Sequence, residues 1–263
     1  MLKKLLKYDL KRVYKNLVVF YSLSIFFSIL TRIFLNIPNS TMMLIIGKIC
    51  SGVTISMFFN IIINNLLRLW VTFTSNLYGD ESYLTHTLPV TKNELYLSKF
   101  LTAIISVLTS TIVIALSLFI AYYSKDNLEL LKVFFTTIAN MYDSNITTII
   151  IIFLVLLFLE LTTGIQAGYS GIIIGHTKNN NKVVLSIVFG FIIYIATQLL
   201  LLLFVYLVAL FNPDVMNIFT TSDLPNITTI KLLMYLSIFI YTSFLVIYYF
   251  INTHLLNKGV NID

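Results

Sequence analysis

The chain offers few side chains that could do covalent chemistry. Its three histidines, His86, His176 and His254, stand far apart in sequence, with no partner at helical ligand spacing. They read as solvated loop residues rather than a metal site. The pair Gly47-Lys48 lacks the context of a phosphate-cradling loop, because Met42 stands where the leading glycine belongs. No Gly-x-Ser-x-Gly elbow or pair of apolar-segment carboxylates suggests hydrolysis, so the expectation is a protein that is not an enzyme and holds no cofactor. One residue is unusual. Glu160 follows an apolar stretch from Ile149 to Leu159, where a charge costs a few kcal/mol and so faces protein or water. It is expected to serve as a conduit or coupling residue, or to hydrogen-bond a neighbouring helix.

These residues must be held by elements that live in lipid. Of 263 residues, 58% are hydrophobic and 11% charged, against about 25% charged in soluble domains. Such a chain cannot cover a water-facing exterior. Six apolar segments, near residues 17–35, 49–71, 100–123, 146–169, 183–211 and 232–251, each match the roughly 20 residues that cross a bilayer. The fold class expected is an all-α integral membrane protein, a single domain over residues 1–263, with no soluble catalytic module. The lone Cys50 excludes an internal disulfide.

The start, residues 1–16, is basic and amphipathic. Leu2, Leu5, Leu6, Leu10 and Val13 recur at helical spacing, with Lys3, Lys4, Lys7, Lys11, Arg12 and Lys15 on the remaining surface. A helix of this kind lies in the headgroup layer against anionic lipid, and the apolar run after it reads as a retained anchor rather than a cleaved signal. Nucleic acid is not an expected partner, since the basic residues sit in this leader and at segment ends. With the N-terminus inside, the leader, Arg68, Lys92, Lys99, Lys178, Lys182 and Lys258 fall on the cytoplasmic side, against Arg32, Lys48, Lys125, Lys132 and Lys231 outside. This bias predicts both termini inside. The triplets beginning at Asn39, Asn145 and Asn226 then fall outside and read as chance.

The second segment carries Lys48, Gly52, Ser56, Asn60, Asn64 and Arg68 at four-residue steps. That ridge winds by about 40° per step and predicts a tilted helix with amides bonded across to neighbours. Gly164, Gly168, Gly171 and Gly175 predict close helix packing.

The connection between the second and third segments, Tyr78-Gly-Asp-Glu-Ser-Tyr-Leu-Thr-His-Thr-Leu-Pro-Val-Thr-Lys-Asn-Glu-Leu-Tyr-Leu-Ser-Lys-Phe100, resembles that of permease subunits of ABC-2-type exporters from Gram-positive bacteria. An acidic residue and a Leu-Pro-Val-Thr turn precede a helix that ends in lysine, with Glu81, Leu88, Pro89, Val90, Thr91 and Lys99 in those places. The leader Lys7-Tyr8-Asp9-Leu10-Lys11-Arg12 and Ile174-Gly175-His176 before a lysine-bearing turn agree. The resemblance implies that this loop, with Glu94 on its helix, docks on a separate ATPase subunit and relays its closure. It also implies a second permease subunit, identical or paralogous, and export of a substrate across the membrane. The rival expectations are an ion-coupled secondary transporter using Glu160 and a non-transporting immunity or sensor protein. Independently of the resemblance, Pro89 cannot continue a helix, and Thr87 or Thr91 is placed to cap the next one.

Overall fold

The computed structural model describes residues 1–37, 40–141, 145–178, 180–220 and 227–258. Among these, all regular structure is helical: α1 (Leu2–Leu35), α2 (Thr41–Leu77), α3 (Ser82–Thr87), α4 (Lys92–Tyr122), α5 (Lys125–Met141), α6 (Ile146–Gly175), α7 (Lys182–Ala209), α8 (Pro213–Thr220) and α9 (Ile227–Lys258). Six of them, α1, α2, α4, α6, α7 and α9, are long and apolar enough to cross a membrane. The protein is an all-helical multi-pass membrane protein. Asn39 and Asn226 lie outside the described residues, while Asn145 sits at the start of α6.

The chain divides into two compact units, the boundary falling within α5. In the first unit α1 packs on α2 and α4. Hydrogen bonds fix the register: Tyr14 meets Thr109 at 2.7 Å, Tyr21 meets Ser110 at 2.7 Å, and Ser24 donates to Ser117 at 3.0 Å, so α1 and α4 run parallel. Thr31 meets Thr54 at 3.1 Å while Arg12 reaches Ser75, so α2 runs antiparallel to both.

These helices are longer than the apolar segments that announce them. α1, with 34 residues, measures about 51 Å at 1.5 Å per residue, against an apolar layer of about 30 Å. The surplus is the basic leader. It is not a separate element, as the amphipathic pattern suggested, but the first four turns of α1. The residues exposed on α1 change character between Lys15 and Val18: five lysines and Tyr8 before, and Val18, Val19, Phe26, Ile29 and Ile33 after. Beyond that border α1, α2 and α4 continue as a polar foot with an apolar core of its own. Val13, Leu17, Leu69, Phe73, Leu77, Leu95 and Tyr96 are all buried there, with Phe73 edge-on to Tyr96 at 6.3 Å. The membrane-facing part is packed differently. Ser24, Ser28, Thr31, Thr54, Ser110 and Ser117 are buried between the helices while apolar side chains face outward. Lipid supplies no hydrophobic drive for helix association, so small and hydroxylated residues hold the seam.

The predicted amide ridge of α2 is corrected. Asn60 and Asn64 donate to the carbonyls of Ser56 and Asn60 on their own helix, at 3.0 and 2.9 Å. The amide that crosses is one step on: buried Asn65 donates to Ser110 Oγ at 2.9 Å. The four-residue ridge had wound away from the interface.

The second unit is built on α6, with α7 and α9 against it. Ser170 Oγ donates to Asn252 of α9 at 2.8 Å, and Thr197 of α7 bonds Tyr248 of α9. The glycines divide in role. A Cβ on Gly171 would stand 2.3 Å from the Gly190 nitrogen, and one on Gly175 would stand 2.5 Å from the Ser186 nitrogen. At Gly164 the nearest atom is the Tyr194 ring at 3.8 Å. His176 is not a solvated loop residue. It is buried at the end of this seam, Nδ1 lying 3.2 Å from Ser186 Oγ and 2.8 Å from the Ile172 carbonyl.

Because backbone cannot yield as a side chain can, Gly171→Ala is expected to destabilise the protein by about 3 kcal/mol or more. Gly164→Ala is expected to be neutral or slightly stabilising, since alanine favours the helix. Thermal unfolding of the detergent-extracted protein distinguishes the two.

Candidate functional site

The loop residues singled out by the sequence lie at the foot of the first unit. The connection begins where α2 ends at Leu77, turns through Gly79 and Asp80, and forms α3, whose first turn starts at Glu81. Leu88 is extended (φ −65°, ψ 139°), as the residue before a proline must be, so Pro89 separates α3 from α4. Thr91 then caps α4. Its hydroxyl accepts from the Glu94 amide at 3.2 Å, and the Glu94 carboxylate accepts from the Thr91 amide at 3.1 Å. This reciprocal pair satisfies two otherwise orphaned amides and fixes where the loop ends. Of the two threonines placed to cap, it is Thr91 that does so; Thr87 turns back to the Leu84 carbonyl at 2.9 Å. His86 reaches the Leu77 carbonyl at 3.2 Å, tying α3 to the end of α2.

The tip of the loop is apolar and open. Tyr83, Leu84 and Leu88 are 63%, 74% and 44% exposed, with Pro89 exposed between them and Val90 half-buried. This patch lies at the polar foot, at the same end of the helices as the exposed lysines of α1.

Behind the tip lies a chain of charges. Asp9 of α1 is buried, and its carboxylate receives the Lys99 ammonium of α4 on Oδ1. Ser98 donates to Oδ2 at 2.6 Å, and the Asn76 amide of α2 donates to Oδ1 at 3.3 Å. One carboxylate thus joins three helices. The Asn76 oxygen in turn accepts from Arg12 Nη1, which also pairs with Glu81, while Arg12 Nη2 donates to Ser75 Oγ at 3.1 Å. The connection runs from the loop, at Glu81, through Arg12 and Asn76 to the buried Asp9–Lys99 pair. The inner pair is withdrawn from water; the outer pair is not, the Arg12 and Glu81 side chains being 37% and 48% exposed. At the start of the connection, burial pushes the Tyr78 phenol above its ordinary range.

The lysines of the leader have a different place. Lys3, Lys4, Lys7, Lys11 and Lys15 are all exposed and fall within an arc of about 120° on α1 at 100° per residue. Arg12, grouped with them by its charge, is turned instead to Asn76 and Glu81. Sequence reasoning singled out Glu81, Lys99 and Arg12 but missed Asp9, Asn76, Ser75 and Ser98. The signal for Asp9 was present: it falls in the middle of the leader's apolar face, between Leu5 and Val13, where an acid needs a partner. Glu160, Asn60 and Asn64 are not part of this cluster. Glu160 belongs to the second unit, where Tyr194 and Gln198 donate to it at 2.6 and 3.0 Å.

Compared with known proteins, the chain matches no family model, no curated protein and no solved structure.

Removing one member of a buried ion pair strands the other, at a cost of about 3–5 kcal/mol, whereas apolar replacement of both is far milder. Lys99→Met and Asp9→Leu are each expected to lower stability by that amount. The double variant is expected to recover much of it, giving a large coupling energy in a thermal-unfolding cycle. Glu81→Gln, at the exposed end of the same network, is expected to cost no more than about 1 kcal/mol.

Proposed function

We propose that this chain is the membrane-spanning permease subunit of an ABC exporter in a bacterial cytoplasmic membrane, and that it performs no catalysis itself. Two such subunits, identical or paralogous, form the conduit. A separate ATPase under each supplies the energy. Both termini lie inside, as the distribution of Lys and Arg favours, which places the polar foot in the cytoplasm.

The observation that carries this reading is the continuous charge chain from Glu81 through Arg12 to Asp9 and Lys99. A loop serving only to connect two helices needs no such tie. Here the exposed apolar tip around Tyr83, Leu84, Leu88 and Pro89 is suited to a protein groove. The same loop is bonded to α1 and α2 and runs directly into the capped start of α4. A push on the tip is therefore delivered to three spans at once. The exposed Arg12–Glu81 pair exchanges partners with water at little cost, while the inner Asp9–Lys99 pair keeps the helices registered. An ion-coupled secondary transporter would require no cytoplasmic docking tip of this kind.

The test is co-purification from native membranes in mild detergent. An ATPase is expected to accompany the protein, and Leu88→Asp is expected to release it. Glu81→Arg is expected to leave the ATPase bound but uncouple its hydrolysis from transport. Combining it with Arg12→Glu, which restores the pair with reversed polarity, is expected to recover much of the coupling. Absence of any ATPase from the purified protein would overturn the proposal.

The topology has its own test. Cys50, the chain's single cysteine, is buried, so Cys50→Ser supplies a background for impermeant thiol labelling. Cysteine at position 7 is expected to react only after the cells are opened, and cysteine at position 126 to react in intact cells.

A further inference from the structure

Glu160 is an acid placed where an acid must be answered. It lies well within the apolar run of α6, half-buried, in the second unit. A carboxylate at such a depth costs a few kcal/mol and is paired or faces a cavity. The first unit shows how this chain answers a buried acid with its own cation: Asp9 is held by Lys99. Glu160 is treated differently. Among the described residues the ion pairs are Lys99–Asp9 and Arg12–Glu81, and the groups gathered on Glu160 are neutral. The Tyr194 hydroxyl donates to Oε1 at 2.6 Å and the Gln198 amide donates to the same oxygen at 3.0 Å. Tyr241 of α9 donates to the Gln198 oxygen at 3.2 Å, which orients that amide with its NH2 group toward the carboxylate. The two donors, both from α7 and one of them held by α9, lower the cost of a negative charge and position it without cancelling it.

We propose that Glu160, Tyr194, Gln198 and Tyr241 form a binding site for the cationic head of an amphiphilic ligand, an organic ammonium or phosphonium-like group that reaches this depth from the apolar phase. An ion pair formed there is far stronger than one at the surface, because little water screens it. A divalent metal is a poorer occupant, since it demands several charged oxygens, and no cluster of three His, Cys, Asp or Glu exists among the described residues. An organic cation needs one counter-charge and aromatic surface. As a binding site this stands on the geometry of the second unit alone; as the class of substrate it rests on the permease reading.

The experiment uses the full-length protein in nanodiscs of zwitterionic lipid, with no ATPase present. Tetraphenylphosphonium is titrated against protein-containing and empty discs, with tetraphenylborate as a probe of the same shape and opposite charge. Saturable binding of the cation and none of the anion is expected. Glu160→Gln keeps an oxygen for Tyr194 and Gln198 while removing the charge, and is expected to weaken cation binding at least tenfold. Cation binding that is absent from the wild type, unchanged in Glu160→Gln, or matched by tetraphenylborate would overturn the proposal. Since no ATPase takes part, such a result would leave the coupling role of the loop standing, and a failure to co-purify an ATPase would leave this site standing.

Discussion

A carboxylate taken out of water has to be compensated by nearby groups, and in this protein the buried Asp9 determines how one end of the first unit is built. Its two oxygens are filled by Lys99, Ser98 and Asn76, which come from two different helices. None of those donors can leave without exposing the charge to an apolar surrounding, a change costing several kcal/mol. The three long helices are therefore fixed against one another at this level. The loop that joins α2 to α4 leaves just after Asn76 and is tied back to α1 through Glu81 and Arg12. What Arg12 adds is an outer layer, in contact with both water and Glu81, where partners can change without disturbing the inner one.

The remainder of the first unit follows from the two solvents it meets. At the polar foot, large apolar side chains are buried and lysines are exposed, as in any protein in water. Past Lys15 on α1 the arrangement inverts, with hydroxyls inside and isoleucine, valine and phenylalanine outside. A continuous helix passes through both regimes because its backbone bonds are internal and indifferent to the surroundings. In the second unit the same logic brings α6 and α7 so close at Gly171 and Gly175 that backbone touches backbone. Contact area there substitutes for the hydrophobic effect, which lipid does not provide.

This division explains what could be read in advance. Six apolar runs gave the spanning helices, because length and hydropathy are local properties of the chain. Their ends were less legible: hydropathy marks where lipid stops, and α1, α2 and α4 do not stop there. The capping threonine and the break at Pro89 were legible because both are short-range geometry. The pairing of Asp9 with Lys99 was not, since it joins residues ninety apart and depends on the register of α1 against α4. Asn60 and Asn64 were misassigned for a related reason. An amide on a four-residue ridge finds its own helix carbonyl unless the winding ridge happens to meet a neighbour, and Asn65 is where it does. His176 looked like a loop residue because it closes a helix, yet the small residues around it let α7 cover it.

Two acids in apolar surroundings thus receive opposite treatment within one chain. Asp9 is given a lysine from its own unit, and the result is a joint. Glu160 receives a tyrosine and a glutamine of α7, the glutamine held in turn by Tyr241 of α9, and no cation. If the second arrangement were only a helix-to-helix bond, a neutral glutamine at position 160 would serve Tyr194 and Gln198 as well, without the cost of an acid at that depth. On the proposal made for this site, the acid is there for its charge, and the ligand that meets it brings the opposite sign.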